Sequence, residues 1–278
     1  MKKTILGLIT ILTISSFLFF TSCKKESKID KETVEAVIDA DNASAEGVVL
    51  AQENATQTKD LMITNGCRTI TRTIDLDSMK GTLVIEFNGD CEDGIPRSGK
   101  MIIVWDLGWR LHPDGKGLTI TYENFTRGRR IFNGTISYTA DVVVDTTNAD
   151  SLAVVLTANM RNFSITFPDS TTFTISGTRT IEYVSGFFTF WDKSDDILKI
   201  NANIEGTNRN GEHFVSVSND LIIKRDCNYF FPVSGTKTIS FDDGRTYLID
   251  FGDGSCDRIY TVTVDGQTQT FEFDPTED

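Results

Sequence analysis

Five cysteines, two histidines and forty carboxylates are the residues in this 278-residue chain whose side chains could do chemistry. Their spacing says which chemistry is open to them. Cys23 stands apart from the others. It follows a basic start, Lys2-Lys3, an apolar run from Ile5 to Phe20, and the small residues Thr21-Ser22. That layout reads as a secretory signal over residues 1–22, cut just ahead of Cys23. Small side chains at 21 and 22 let the chain enter a peptidase cleft. The Cys23 thiol is then the one side-chain nucleophile placed there to take a diacylglycerol. A plain signal peptide with an incidental cysteine is the competing reading.

The other four cysteines are Cys67, Cys91, Cys227 and Cys256, and an even number in an exported chain points to disulfides. Three pairings are open to four cysteines. Asp77-Ser78-Met79-Lys80 reads as a turn between Arg68–Leu76 and Gly81–Phe87, which places Cys67 opposite Cys91 in an antiparallel hairpin. Asp242-Asp243-Gly244 separates Tyr229–Phe241 from Thr246–Phe251 in the same way, and the Gly252-Asp253-Gly254 loop brings Cys256 within reach of Cys227. The expected bridges are therefore Cys67–Cys91 and Cys227–Cys256, each closing the open end of one hairpin. Zinc is the rival use of these thiols, but no CxxC pair or nearby histidine supports it.

The remaining candidates are weaker. His112 lies beside a Pro-Asp-Gly turn and His213 at a strand start, with no serine or cysteine motif near either. The sequence has no nucleophile elbow, HExxH or phosphate loop, so no enzyme and no cofactor is expected. The acidic loops Asp90–Asp93, Asp192–Asp196 and Asp242-Asp243 offer oxygens to calcium, but none has EF-hand spacing, and solvated turns are the simpler reading. Trp105 and Trp109 could stack on sugar rings. Their strand neighbours Met101, Ile103, Leu107 and Leu111 favour burial instead. Phe187, Phe188, Phe190 and Trp191 break strand alternation beside the charged loop that starts at Asp192, and form the candidate contact surface, with a wrapped core edge as the competing and favoured reading.

These residues need elements to position them, and the chain divides by composition. Residues 23–30 are short and polar and suit a tether. Residues 31–62, rich in Ala, Glu and Gln, carry Val34, Val37 and Ile38 at helical spacing. One or two short helices are expected there, interrupted at Asp41-Asn42 and Gly47. Over residues 63–278 the period changes to two. Met101, Ile103, Trp105, Leu107, Trp109 and Leu111 share one face of a single long strand, and the alternation returns about ten more times. Tight turns and no crossover helices give an all-β antiparallel meander of about a dozen strands, forming a curved sheet, a sandwich or an open barrel. Asn133-Gly134-Thr135, Ser176-Gly177-Thr178 and Ser234-Gly235-Thr236 are echoes of one phrase and mark a shared bend.

Without residues 1–22 the chain keeps 256 residues, and 25 basic side chains face 40 acidic ones, a formal charge of −15. That field repels phosphate backbones, so nucleic acid is not an expected partner. The lone basic cluster, Arg127, Arg129 and Arg130 around Gly128, reads as a solvated turn. No segment beyond the signal is apolar enough to span a bilayer as a helix, which leaves lipid on Cys23 as the expected membrane attachment.

Leu18–Lys25 resembles a bacterial lipoprotein lipobox, with Phe20 where leucine is usual. With the helical lead-in, the two cysteine-closed hairpins, Gly206–Gly211 and Phe251–Asp257, the chain resembles a group of Bacteroidota cell-envelope lipoproteins of no assigned activity. The resemblance implies a location, the outer membrane, with the facing leaflet open. It supplies no function; with no catalytic motif in the chain, a binding or scaffolding role in the cell envelope is expected, toward a protein or glycan partner that the sequence does not name. A carrier cradling a glycan or apolar ligand on its curved sheet is the alternative. The two separate on whether the apolar strand faces fill their own interior or leave a lined cavity.

Overall fold

The computed structural model describes residues 29–54, 60–91, 94–109, 111–144, 152–189, 192–227 and 230–274. One helix, α1 (Lys31–Asn54), precedes fourteen strands: β1 (Leu61–Asn65), β2 (Arg68–Asp75), β3 (Lys80–Asp90), β4 (Pro96–Asp106), β5 (Gly117–Arg127), β6 (Arg130–Val144), β7 (Leu152–Thr166), β8 (Thr172–Ser185), β9 (Ile197–Thr207), β10 (His213–Lys224), β11 (Ser234–Phe241), β12 (Thr246–Asp253), β13 (Ile259–Val264) and β14 (Gln267–Glu272). They form one sheet in chain order, every neighbouring pair antiparallel, with β1 and β14 as free edges. The expected all-β meander is what the chain adopts.

Strand alternation sorts the side chains as period-two patterning requires. In β3, Leu83, Ile85 and Phe87 are buried while Glu86 and Asn88 face out. The outward positions of β5 and β6 are Thr119, Thr121, Glu123, Ser137, Thr139 and Asp141, a surface that meets water. Three non-glycine residues, Asn124, Asn162 and Asp220, take positive φ (47, 51 and 48°), and each sits where the strand pairing shifts register. Gly134, Gly177 and Gly235 lie against these bulges or beside them. A Cβ on Gly134 or Gly235 would meet the neighbouring strand's backbone at Asn162 or Asp220 within 2.7 Å. The echoed Asn/Ser-Gly-Thr phrase is thus the sheet's bending device.

The helix departs from expectation. The chain from Lys31 to Asn54 is one continuous helix of 24 residues, and 20 of them are buried. Asp30 caps it, accepting the Thr33 N–H at 3.1 Å and the Thr33 hydroxyl at 2.6 Å. Asp41-Asn42 and Gly47 do not interrupt it. Asp41 is drawn inward by cations, and Gly47 lets the helix close on β5, where an added Cβ would stand 2.8 Å from Tyr122 Oη. The all-β part also begins earlier than residue 63, because Leu61 and Met62 already belong to β1.

The sheet curls around this helix. Side chains of β4, β5, β6, β8, β11 and β13 all reach it: Arg97, Tyr122, Tyr138, Arg179, Lys237 and Tyr260. The expected long strand through Leu111 ends instead at Asp106. Gly108 takes φ 82° and the Leu107 N–H turns to the Met79 carbonyl, so Trp109 folds inward while Leu111 lies exposed.

Candidate functional site

The densest collection of chemical groups lies inside the sheet, on α1. Glu35, Asp39 and Glu46 line one stripe of the helix at helical spacing. Arg97 meets Glu46 at 3.0 Å, and Arg127 bridges Glu46 at 3.3 Å and Asp39 at 3.4 Å. Arg130 pairs with Asp39 and reaches Glu35 at 3.4 Å. Tyr260 donates its hydroxyl to the other Glu35 oxygen. A second cluster sits on another face: Asp41 pairs with Arg179 and with Lys237, whose Nζ is 2.5 Å away. All these charges are nearly or completely removed from water.

Burial acts on them in a consistent direction. It would raise the Asp41 carboxyl, but Arg179 and Lys237 outweigh it and hold that carboxyl below its ordinary value. Burial pulls the Lys237 ammonium down, opposed by Asp41. It pushes the Tyr138 hydroxyl up to about 12 and the Tyr122 hydroxyl well above its usual value. Tyr138 and Ser44 share a 2.6 Å hydrogen bond, and Tyr122 donates to the Ala43 carbonyl at 2.8 Å. These carboxylates are engaged by guanidinium, ammonium or phenol groups. They fix the rotation and depth of the helix within the sheet.

The basic cluster read as a solvated turn is corrected here. Arg127 and Arg130 are buried and serve the helix carboxylates. Sequence reasoning missed the cluster, although a signal was present. Lys237 stands two and four residues ahead of buried Ile239 and Phe241, and Arg179 stands likewise ahead of Ile181 and Tyr183. A cation in register with core residues calls for a buried anion, and α1 has four to offer.

Of the other candidates, both disulfides form as expected, Cys67–Cys91 and Cys227–Cys256. The registers differ, however. Arg68 pairs with Phe87, so the Cys67 carbonyl takes the Asn88 N–H, and the chain bends back from there to Cys91. The strand read from Tyr229 starts only at Ser234, and Cys227 ends a single 3-10 turn. Asp226 lies beside Cys227 and Cys256, but both sulfurs are spent in the bridge and cannot serve as thiolate ligands.

Cys23, Phe190 and Trp191 lie outside the described residues. Phe187 is buried, edge-on to Trp109 and Tyr183, whereas Phe188 beside it is 45% exposed. Trp105 and Trp109 are buried core. His213 meets Asp242 at 2.9 Å on the surface. In the acidic loops, Asp192 accepts the Ser194 N–H, Asp195 the Thr189 hydroxyl and Asp243 the Arg245 N–H, which makes them turn-forming groups. Where β12 and β13 splay beyond Asp250 and Thr261 there is a cleft of about 260 Å³. Phe251 and Tyr260 line it, with Asp250, Asp253 and Asp257 beside them. Each of those carboxylates is turned to a backbone N–H within two residues of itself.

Comparison with known proteins finds no matching family model, no matching curated protein and no matching solved structure.

Proposed function

We propose that this chain is a lipid-anchored, non-catalytic lipoprotein of a bacterial outer membrane, with a binding or scaffolding role in the cell envelope. The observation that carries the choice of role is the occupant of the curled sheet. A carrier needs that interior for its cargo, and here 20 residues of α1 fill it, locked by ion pairs to five strands or their ends and by a hydrogen bond to a sixth. Two disulfides accord with an oxidising compartment. The anchor rests on Thr21-Ser22-Cys23 and the apolar run before it.

Replacing Cys23→Ala in the full chain tests the anchor. The wild type is expected to sediment with membranes and to incorporate labelled palmitate; the variant is expected to do neither. A variant that still sediments in high salt places the attachment elsewhere and ends the lipoprotein reading. Organic extraction of the purified protein tests the role. A stoichiometric lipid or glycan in the extract would favour the carrier.

A further inference from the structure

We infer that one end of the curled sheet, the end holding the C-terminus of α1, is a docking face for a protein surface presenting apolar side chains with cations among them. The inference rests on the lipid anchor proposed above. In a consecutive antiparallel meander alternate turns share an end, so the molecule has two ends of distinct character. The chain enters α1 at the near end. There Asp30 contacts Tyr247 and Asn208, and Glu32 pairs with Arg209 at 2.9 Å. The helix finishes at the far end, where Glu53 pairs with Lys193 at 3.0 Å and with Arg225.

Exposed apolar side chains gather at the far end. Leu76, Met79, Leu111, Val144, Leu152 and Phe188 are between 45% and 72% exposed, and all belong to its turns or to the strand ends that flank them. Among the described residues, none of the exposed large apolar side chains lies on a near-end turn. Scattered apolar residues on a surface need no explanation, but segregation to one end does. Between them stand Asp75, Asp192 and Asp195, whose carboxylates accept from groups of their own turns and, among the described residues, pair with no cation. Carboxylates that lack a paired cation, set among apolar tips, complement a partner that is apolar and basic.

The tether decides against the bilayer as occupant. The eight residues from Cys23 to Asp30 reach at most about 29 Å when fully extended. Strands of 15 residues, β6 and β7, run about 50 Å. Turning the far end down onto the anchoring leaflet would require the tether to run the height of the sheet. The far end therefore points away from the membrane that holds Cys23.

The test uses the full chain in detergent, titrated with a synthetic peptide of alternating leucine and lysine and with its leucine–glutamate counterpart. Binding of the lysine peptide alone is expected, weakened at least tenfold by Leu76→Ser with Leu111→Ser, and unaffected by Asp265→Ser at the near end. In cells, a photoreactive residue at Met79 or Phe188 is expected to give one discrete adduct with a different protein, lost in the same double variant. The same probe at Asp243 or Asp265 gives no such adduct. Adducts with phospholipid or with a second copy of the chain overturn the inference, as does indifference to the double variant or failure of both peptides to bind. The Cys23→Ala chain separates this from the anchor. Retained sedimentation with peptide binding intact condemns the anchor alone, and lost sedimentation with no peptide binding condemns the docking face alone.

Discussion

Replacing Asp41→Ala removes the anion from a buried group of three. Arg179 and Lys237 would be left facing each other with no exposed side-chain surface and no counter-charge. Breaking one buried pair by deleting a partner costs about 3–5 kcal/mol, because the orphaned charge keeps its desolvation penalty. Two cations are orphaned here, so the loss should sit at or above the top of that range. Deleting the whole group is a different matter. Asp41→Leu with Arg179→Met and Lys237→Met exchanges the charges for apolar groups of similar reach, and such exchanges run from neutral to a gain of about 1–4 kcal/mol. Urea unfolding followed by the fluorescence of buried Trp105 and Trp109 reads both, with the disulfides kept oxidised. The signature is a single variant far less stable than the triple. A single variant within about 1 kcal/mol of wild type would mean that water reaches Asp41, and the account of a dry ionic core would be wrong.

The Asp41 carboxyl is held below its unfolded value near 3.8, so its contribution is fully present above pH 4 and drains away as pH falls through the lower, folded value. Acid unfolding should set in below pH 4, and the Asp41→Leu triple should unfold at a pH different from wild type in a circular-dichroism titration. Gly47→Ala should destabilise by about 1 kcal/mol, since overpacking against Tyr122 and Ile120 exceeds the helix-propensity gain. A stabilised Gly47→Ala chain in the same urea assay would show that the helix has room there. Removing either bridge by a paired Cys→Ala change should cost roughly 3 kcal/mol, for closed loops of 24 and 29 residues. Non-reducing peptide maps of the variants should still show the other bridge intact.

The strands were legible in the sequence because their rule is local: alternate residues of β3 and β5 are mostly apolar, and turns such as Asp242-Asp243-Gly244 end strands. The cysteine pairs were legible for a related reason, since a hairpin brings its ends together even when the register is misjudged by a few residues. The place of α1 was not legible. Glu35, Asp39, Asp41 and Glu46 look like the solvated side of a surface helix, and only partners from 50 to 200 residues further on make them interior. Long-range pairing of charge leaves no periodic trace in either partner taken alone. The buried Arg127 and Arg130 flank a glycine turn, and that turn chemistry hid them.

The charged character of α1 carries a consequence for how the chain is made and moved. At 24 residues the helix is about 36 Å long, enough to cross a bilayer. On the export route proposed for residues 1–22, an apolar core helix of that length would halt in the translocation pore as a stop-transfer segment. A helix bearing six acids, as α1 does, would pass through. It is also synthesised first and satisfied last: the Glu35 contact with Tyr260 closes over 225 residues. While it waits for its wrapping, its acids stay hydrated beside apolar residues such as Val34, Ile38 and Leu50. Delivering the cations on the late-arriving strands lets a core element travel as though it were a surface one, and become core only on arrival.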